Sequence, residues 1–280
     1  MKKTLILTTI LAAVVSSLWS TPLIWRGAST IKPMQFIIEA DFAYSKTTKT
    51  YNWTDKKWDT LTSKKQTTTF SATTMGGFSP FQNIELCLIA PLVSKSQDTL
   101  NSLGMGDFWF NLRYGALAGK KMPVKLTLSG ALVVPAADKN AKLELDDRTL
   151  DIGLGAILQT KQLGKVLGHL RLGYWLNGKK NDTTKVGDMF EYVAKLDYNV
   201  TKEIMSFIQI AGTMEGKTKI KDKAQPETEK DRHNFTIGAV LKPVKILSVR
   251  PKILVSLPFI SKGGSAAPFS LGLDFWVIAP

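Results

Sequence analysis

Residues Val124–Val134 read VKLTLSGALVV. Val124, Leu126, Leu128, Leu132 and Val134 are large and apolar, with Lys125, Thr127 and Ser129 between them. A period of two makes a strand with one greasy face and one wet face. A soluble sandwich uses such strands, and so does a membrane barrel. The choice rests on how often the pattern recurs and on what joins the copies.

Outward from this stretch the pattern recurs about a dozen times. The first strand is expected near Met34–Ser45, where Phe36, Ile38, Ala40, Phe42 and Tyr44 share one face and Glu39 and Asp41 the other. Gly106–Ala118 sets Phe108, Phe110, Leu112 and Tyr114 against Asp107, Trp109, Asn111 and Arg113. Arg148–Thr160 sets Ile152, Leu154 and Leu158 against Asp151. In Val166–Asn177, Leu170, Leu172 and Tyr174 oppose His169, Arg171 and Trp175. In Asp188–Tyr198, Phe190, Tyr192 and Leu196 oppose Glu191, Lys195 and Asp197. The last strands are expected at Asn234–Lys242, Ser248–Phe259 and Phe269–Val277.

The joins alternate in length. Long polar stretches such as Lys46–Lys65, Ser94–Met105, Pro135–Asp147, Gly178–Gly187 and Gly216–Arg232 follow odd strands, and short turns follow even ones. An up-and-down outer-membrane barrel has this arrangement, with an even strand count and both termini on the periplasmic side. A soluble sandwich has no reason to sort its loops by end. The expected fold is therefore an all-β, twelve-stranded antiparallel transmembrane barrel spanning 34–280.

The polar face supports this. It carries Glu39, Asp41, Glu85, Asp107, Arg113, Lys125, Asp151, His169, Arg171, Glu191, Lys195, Asp197, Lys242, Arg250, Lys252 and Asp274. An unpaired ion in a dry core costs several kcal/mol, so a hydrated or salt-bridged lumen is the expected home for so many. Of these, Glu85, Asp107, Arg113, Arg171, Glu191 and Lys195 are the candidate charge belt. A belt of this kind selects solutes; the alternative is an ion-pair network that fills the lumen. Aromatics on the greasy face (Phe108, Tyr114, Tyr174, Tyr192, Tyr198, Phe235 and Phe275) are candidates for interface girdles.

Residues 1–20 read as a secretory signal, with Lys2 and Lys3 before an apolar stretch from Leu5 to Val15 and serines after it. Residues 21–33 lack a period and are expected across the periplasmic mouth. The single cysteine, Cys87, excludes an internal disulfide and reads as a small buried filler. The net charge of +14 and pI near 9.7 come without a helix-turn-helix or zinc pattern, so nucleic acid is not an expected partner. The charge fits loops facing anionic lipid, including lipopolysaccharide, or anionic solutes. No metal spacing, phosphate loop or serine elbow is present, so no cofactor, no metal and no catalytic residue is assigned. His169 and His233 are the two histidines, and the loop acids Glu144, Asp146 and Asp147 read as solvated.

The run SPFQNIELCLIAPLV followed by GMGDFWFNLRYGAL, from Ser79 to Leu117, resembles the outer-membrane family labelled "MetA-pathway of phenol degradation". The matching positions are Asn83, Glu85, Leu86, Pro91, Gly104, Gly106, Asp107, Arg113 and Tyr114. ALVVPA, DIGLGAILQTKQLG, HLRLGYWLNG and SLGLDFW follow the same layout. The resemblance implies a barrel channel for small solutes, hydrophobic or aromatic ones on the family's pattern, inserted by the barrel-assembly machinery. It departs at the C-terminus, where Phe275 and Trp276 are followed by four further residues rather than ending the chain. Passive passage through a narrow charged lumen, partly closed by Lys46–Lys65 and Gly216–Arg232, is the leading reading. A non-conducting barrel plugged by its own side chains is the alternative; a barrel hydrolase and a soluble exported sandwich stand behind it.

Overall fold

The computed structural model describes residues 27–118, 123–138, 140–145, 149–244, 247–257 and 260–279. The expected signal segment lies outside the described residues. The described chain forms one closed ring of twelve antiparallel strands: β1 (Phe36–Thr47), β2 (Thr67–Phe78), β3 (Ile84–Gln97), β4 in two parts (Leu100–Met105 and Phe108–Leu117), β5 (Val124–Val134), β6 (Asp151–Thr160), β7 (Val166–Leu176), β8 (Met189–Asn199), β9 (Ile204–Glu215), β10 (Lys230–Val244), β11 (Leu247–Ser256) and β12 (Phe269–Ala279). Each strand pairs with its sequence neighbours. The ring closes because β1 pairs with β2 on one side and β12 on the other, from Phe36 opposite Ala279 to Ser45 opposite Ser270. Closure leaves no barrel edge unpaired, which a lipid environment requires.

The pleat sorts the side chains. On β5, Thr127, Ser129, Ala131 and Val133 are buried while Leu128 and Leu132 are exposed. The same parity holds on β7, where Arg171 and Trp175 are buried and Leu170, Leu172 and Tyr174 exposed. An exterior carrying this many exposed aliphatic side chains is a lipid-facing band. Phe36 stacks on Phe78 at 4.6 Å at the turn end, where Tyr114 and Tyr198 are also exposed. Tyr174 and Phe269 are exposed near the loop end.

Three expectations about the barrel itself need correction. Ser94–Met105 is not a loop. Gln97 pairs with Leu100, so β3 and β4 run on past the barrel as a hairpin with a tight turn in which Asp98 has φ +51°. The barrel register begins after a bulge: Ala90 and Pro91 separate Ile89 from Leu92, whereas Gly106, Asp107 and Phe108 separate their partners Trp109 and Met105. Pro91 has no N–H to give the ladder, and its carbonyl accepts instead from Gly106 N at 2.9 Å. Beyond lipid, Ser94, Lys95, Ser96 and Gln97 need no greasy face, which is why this extension reads as loop.

Second, Lys242 is exposed near the turn end rather than inside. Third, the lumen is not wholly polar. Ala131, Val133, Ile157, Trp175, Val193 and Ala211 form an inward apolar cluster with Trp109 and Met189 against it. The long loops also carry structure. Lys49–Asn52 and Lys57–Thr60 form a hairpin that pairs with Ser265–Ala266, and Thr184–Lys185, Lys219–Ile220 and Lys223–Ala224 make a second small sheet.

Candidate functional site in the lumen

Side chains that face inward on neighbouring strands meet according to register. Glu85 on β3 lies opposite Arg113 on β4. Arg113 Nη1 donates to Glu85 Oε1 at 3.1 Å, and both side chains are fully buried. A buried pair persists only when its remaining atoms are also satisfied. Here Cys87 Sγ donates to Glu85 Oε1 at 3.3 Å, so the cysteine fills space and donates a weak bond.

The other partners come from the N-terminal segment. Residues 27–31 enter the lumen at its turn end instead of lying across the mouth. Arg113 Nη2 donates to Gly27 O at 2.5 Å, and Ala28 N donates to Gln159 Oε1 at 3.1 Å. Thr127 Oγ1 donates to Ala28 O at 2.6 Å, and Ile31 N donates to Glu85 Oε2 at 3.1 Å. Lys125 Nζ donates to Ser29 Oγ at 3.0 Å. Ala28 packs under the apolar cluster, and Ile31 joins Ile37, Met75, Cys87 and Ile89. An extended segment removed from water must satisfy its backbone groups from elsewhere, and lumen side chains supply the partners. The small side chains of Gly27, Ala28, Ser29 and Thr30 fit a crowded bore.

A second group sits on β7 and β8. His169 faces Lys195 in register. Asp197 holds both: its Oδ2 is 2.7 Å from His169 Nε2 and its Oδ1 is 2.7 Å from Lys195 Nζ. Lys195 Nζ also lies 4.5 Å from the centre of the Phe207 ring, a favourable position for a cation.

A third group lies across β1, β11 and β12. Asp41 is directly opposite Asp274, and like charges so placed repel. Lys252 bridges them, 3.5 Å from Asp41 Oδ2 and 3.0 Å from Asp274 Oδ1. Arg250 pairs with Asp274 through Nε and reaches Glu39 Oε1 at 3.5 Å. Its guanidinium lies 5.4 Å from the Trp276 ring centre.

Between the second and third groups the lumen keeps a cavity of about 190 Å³. Arg171, Lys195, Arg250, Glu39 and Asp197 line it, and Gly27 of the N-terminal segment forms part of its wall. The candidate belt is therefore divided. Glu85 and Arg113 form one pair, while Arg171 and Lys195 share the cavity. Glu191 lies opposite Gly173, nearer the loop end, and Asp107 sits in the β4 bulge. Among the described residues, the wall of the cavity beside His169 carries no serine, threonine or cysteine. Glu144 pairs with Lys180 at 2.8 Å, while Asp146 and Asp147 lie outside the described residues. Among the described residues, no group of His, Cys, Asp and Glu has metal-holding geometry.

The alternation of types marked the inward residues but not their pairing, since register is absent from a single strand's sequence. Gln159 and the backbone of Gly27 and Ala28 were missed as site groups. The run of small residues after Arg26 was the one available signal.

No family model matches the sequence, and no curated protein matches it. Solved structures do. The chain is similar to the COG4313 outer membrane channel from Pseudomonas putida F1, with TM-score 0.78 and 14% identity over 90% of this chain and 98% of that one. It is also similar to the NanC porin, with TM-score 0.50 and 8% identity over 87% of this chain and 98% of that one. The β domain of the Bordetella autotransporter BrkA gives TM-score 0.50 and 7% identity over 87% and 99%. At these identities the likeness is one of fold: a barrel of the outer-membrane type.

Proposed function

We propose that this protein is an outer-membrane channel for small solutes, with a lumen narrowed at its periplasmic end by its own residues 27–31. The observation that carries the reading is the cavity among Arg171, Lys195, Arg250, Glu39 and Asp197, space that the lumen side chains leave unfilled. Ionised walls hold water, and water-filled bores conduct. The P. putida structure being described as a channel supports the same reading. The apolar surface of Trp109, Trp175 and Val193 inside the bore suits a solute with an apolar body, in line with the sequence resemblance to the phenol-degradation family. Lysine-rich loops suit contact with lipopolysaccharide phosphates, and the barrel-assembly machinery is the expected route of insertion.

A second reading, a non-conducting barrel, draws on the burial of Ala28 and Ile31 inside the bore. Single-channel recording in planar bilayers separates the two. The channel reading expects a small conductance from the full mature chain and a several-fold larger one when the residues before Lys32 are removed. Arg171→Gln takes one positive charge from the cavity wall and is expected to move the reversal potential toward cation selectivity. Electrical silence in both the full and shortened chains supports the non-conducting barrel.

A further inference from the structure

At the loop end the barrel wall thickens. β10 begins at Lys230, whereas the facing β11 stops at Ser256. The chain leaving β11 folds back onto this overhang: Asp231 N donates to Lys262 O and Lys262 N to Asp231 O, each at 2.8 Å. The Lys49–Thr60 hairpin closes the third side through the pairing of Ser265 with Thr50 and Ala266 with Lys49. These three pieces enclose a cavity of about 240 Å³.

The lining has an unusual charge balance. Among the described residues, Lys49, Arg232 and His233 line it and no carboxylate does. Glu215 acts on Arg232 from outside the lining and Tyr192 Oη lies 2.8 Å from His233 Nδ1, so Lys49 is the cation placed to meet a ligand. Several neutral polar groups are committed to the frame. Trp58 Nε1 donates to Ser261 O at 3.2 Å, and Ser261 Oγ donates to Leu257 O at 2.7 Å while accepting from His233 N at 3.0 Å. Ser256 Oγ donates to Ala267 O. The indole of Trp58 and the side chains of Val255 and Pro268 give the same space an apolar wall. A cavity below the roughly 300–1,000 Å³ of sites for larger ligands holds one ring or a short chain.

We propose that this cavity is a binding site for small organic carboxylates. Lys49 holds the carboxylate, and Trp58, Val255 and Pro268 cover the apolar body. The lysines of the neighbouring loops raise the local concentration of such anions. Binding at this site is independent of conduction; only its role as the capture step before passage rests on the channel reading.

The test uses the refolded mature protein in detergent, with benzoate as the probe because it carries one carboxylate and one ring. Titration calorimetry is expected to give one site per chain. Benzyl alcohol, the neutral counterpart, is expected to bind at least tenfold more weakly, as is benzoate to Lys49→Gln, since a charge-assisted hydrogen bond is lost. Trp58→Leu is expected to weaken benzoate and leave inorganic phosphate unchanged. Lys49 is half-buried in a loop hairpin, and the gel mobility of unheated Lys49→Gln checks its fold. Benzoate binding that is absent, or unaltered in folded Lys49→Gln, overturns the proposal. Phosphate binding as tightly as benzoate overturns the organic part of it. No bilayer is involved, so a barrel that fails to conduct leaves the result standing.

Discussion

Gly153 has a role in the bore that a single strand's sequence does not reveal. It is paired in register with Trp175, and a Cβ built on it would sit 2.7 Å from two atoms of that indole. The ring cannot swing away freely, because Trp109 meets it edge-on at 5.2 Å. Gly153→Ala removes glycine's excess freedom in the unfolded chain, a gain of about 0.4–1 kcal/mol. It also overpacks the lumen, at a cost of about 1–3 kcal/mol. The cost exceeds the gain, so denaturant unfolding in detergent micelles is expected to show a lower midpoint, and Trp175→Leu in the same chain is expected to recover much of it. Parity alone identified Trp175 and Arg171 as inward neighbours of one strand face. Parity could not say that the first packs on a glycine and the second borders a cavity, because both depend on the strand across the ladder. For the same reason Asp274 was legible as inward, yet not as the group that Lys252 bridges to Asp41.

Whole elements were legible where a bilayer forces alternation and illegible where it does not. β5 to β8 lie within a residue of their expected limits except at the start of β6, expected from Arg148 and observed from Asp151. Past Pro91 the β3–β4 hairpin leaves the lipid, loses its greasy face and so loses its signature. The N-terminal segment has no period for a different reason: its bonds are made by its backbone, to side chains on β3, β4, β5 and β6. Thr127→Val keeps the volume and removes the hydroxyl that donates to Ala28 O. The carbonyl it leaves is buried, and an unsatisfied group of that kind costs about 1–3 kcal/mol. That cost falls on seating the segment, since the β5 ladder is unchanged. Ala28 is fully buried in the seated segment, so thiol labelling of Ala28→Cys in a Cys87→Ala background is expected to speed up roughly tenfold or more with Thr127→Val. Equal labelling rates with and without Thr127→Val would mean that the segment is not held by this bond.

For the molecule as a whole, the exterior separates a lipid-facing band from a protruding hairpin that exposes only isolated apolar side chains, Leu100 and Leu103. Register locates the band. On β9, Ser206 lies opposite Tyr198 of the turn-end aromatics, and Met214 lies opposite Phe190 beside Tyr174 at the other end. Ile210 is midway between Ser206 and Met214 and is 45% exposed. Leu103 is 70% exposed, yet it pairs with Ser94 in the hairpin beyond the bulge. Exposure alone would predict that arginine disturbs neither site, or disturbs Leu103 more. A bilayer reverses this. Arginine at the midplane of a barrel costs about 2–4 kcal/mol and at the interface about 0–1 kcal/mol. Equilibrium unfolding from lipid vesicles is therefore expected to show Ile210→Arg destabilised by that larger amount and Leu103→Arg nearly unchanged. In detergent, whose tails rearrange around a charge, the gap is expected to shrink. Equal destabilisation at the two sites in vesicles would mean that the hydrocarbon does not cover the face carrying Ile210, and the membrane orientation assigned from the two aromatic levels would be wrong.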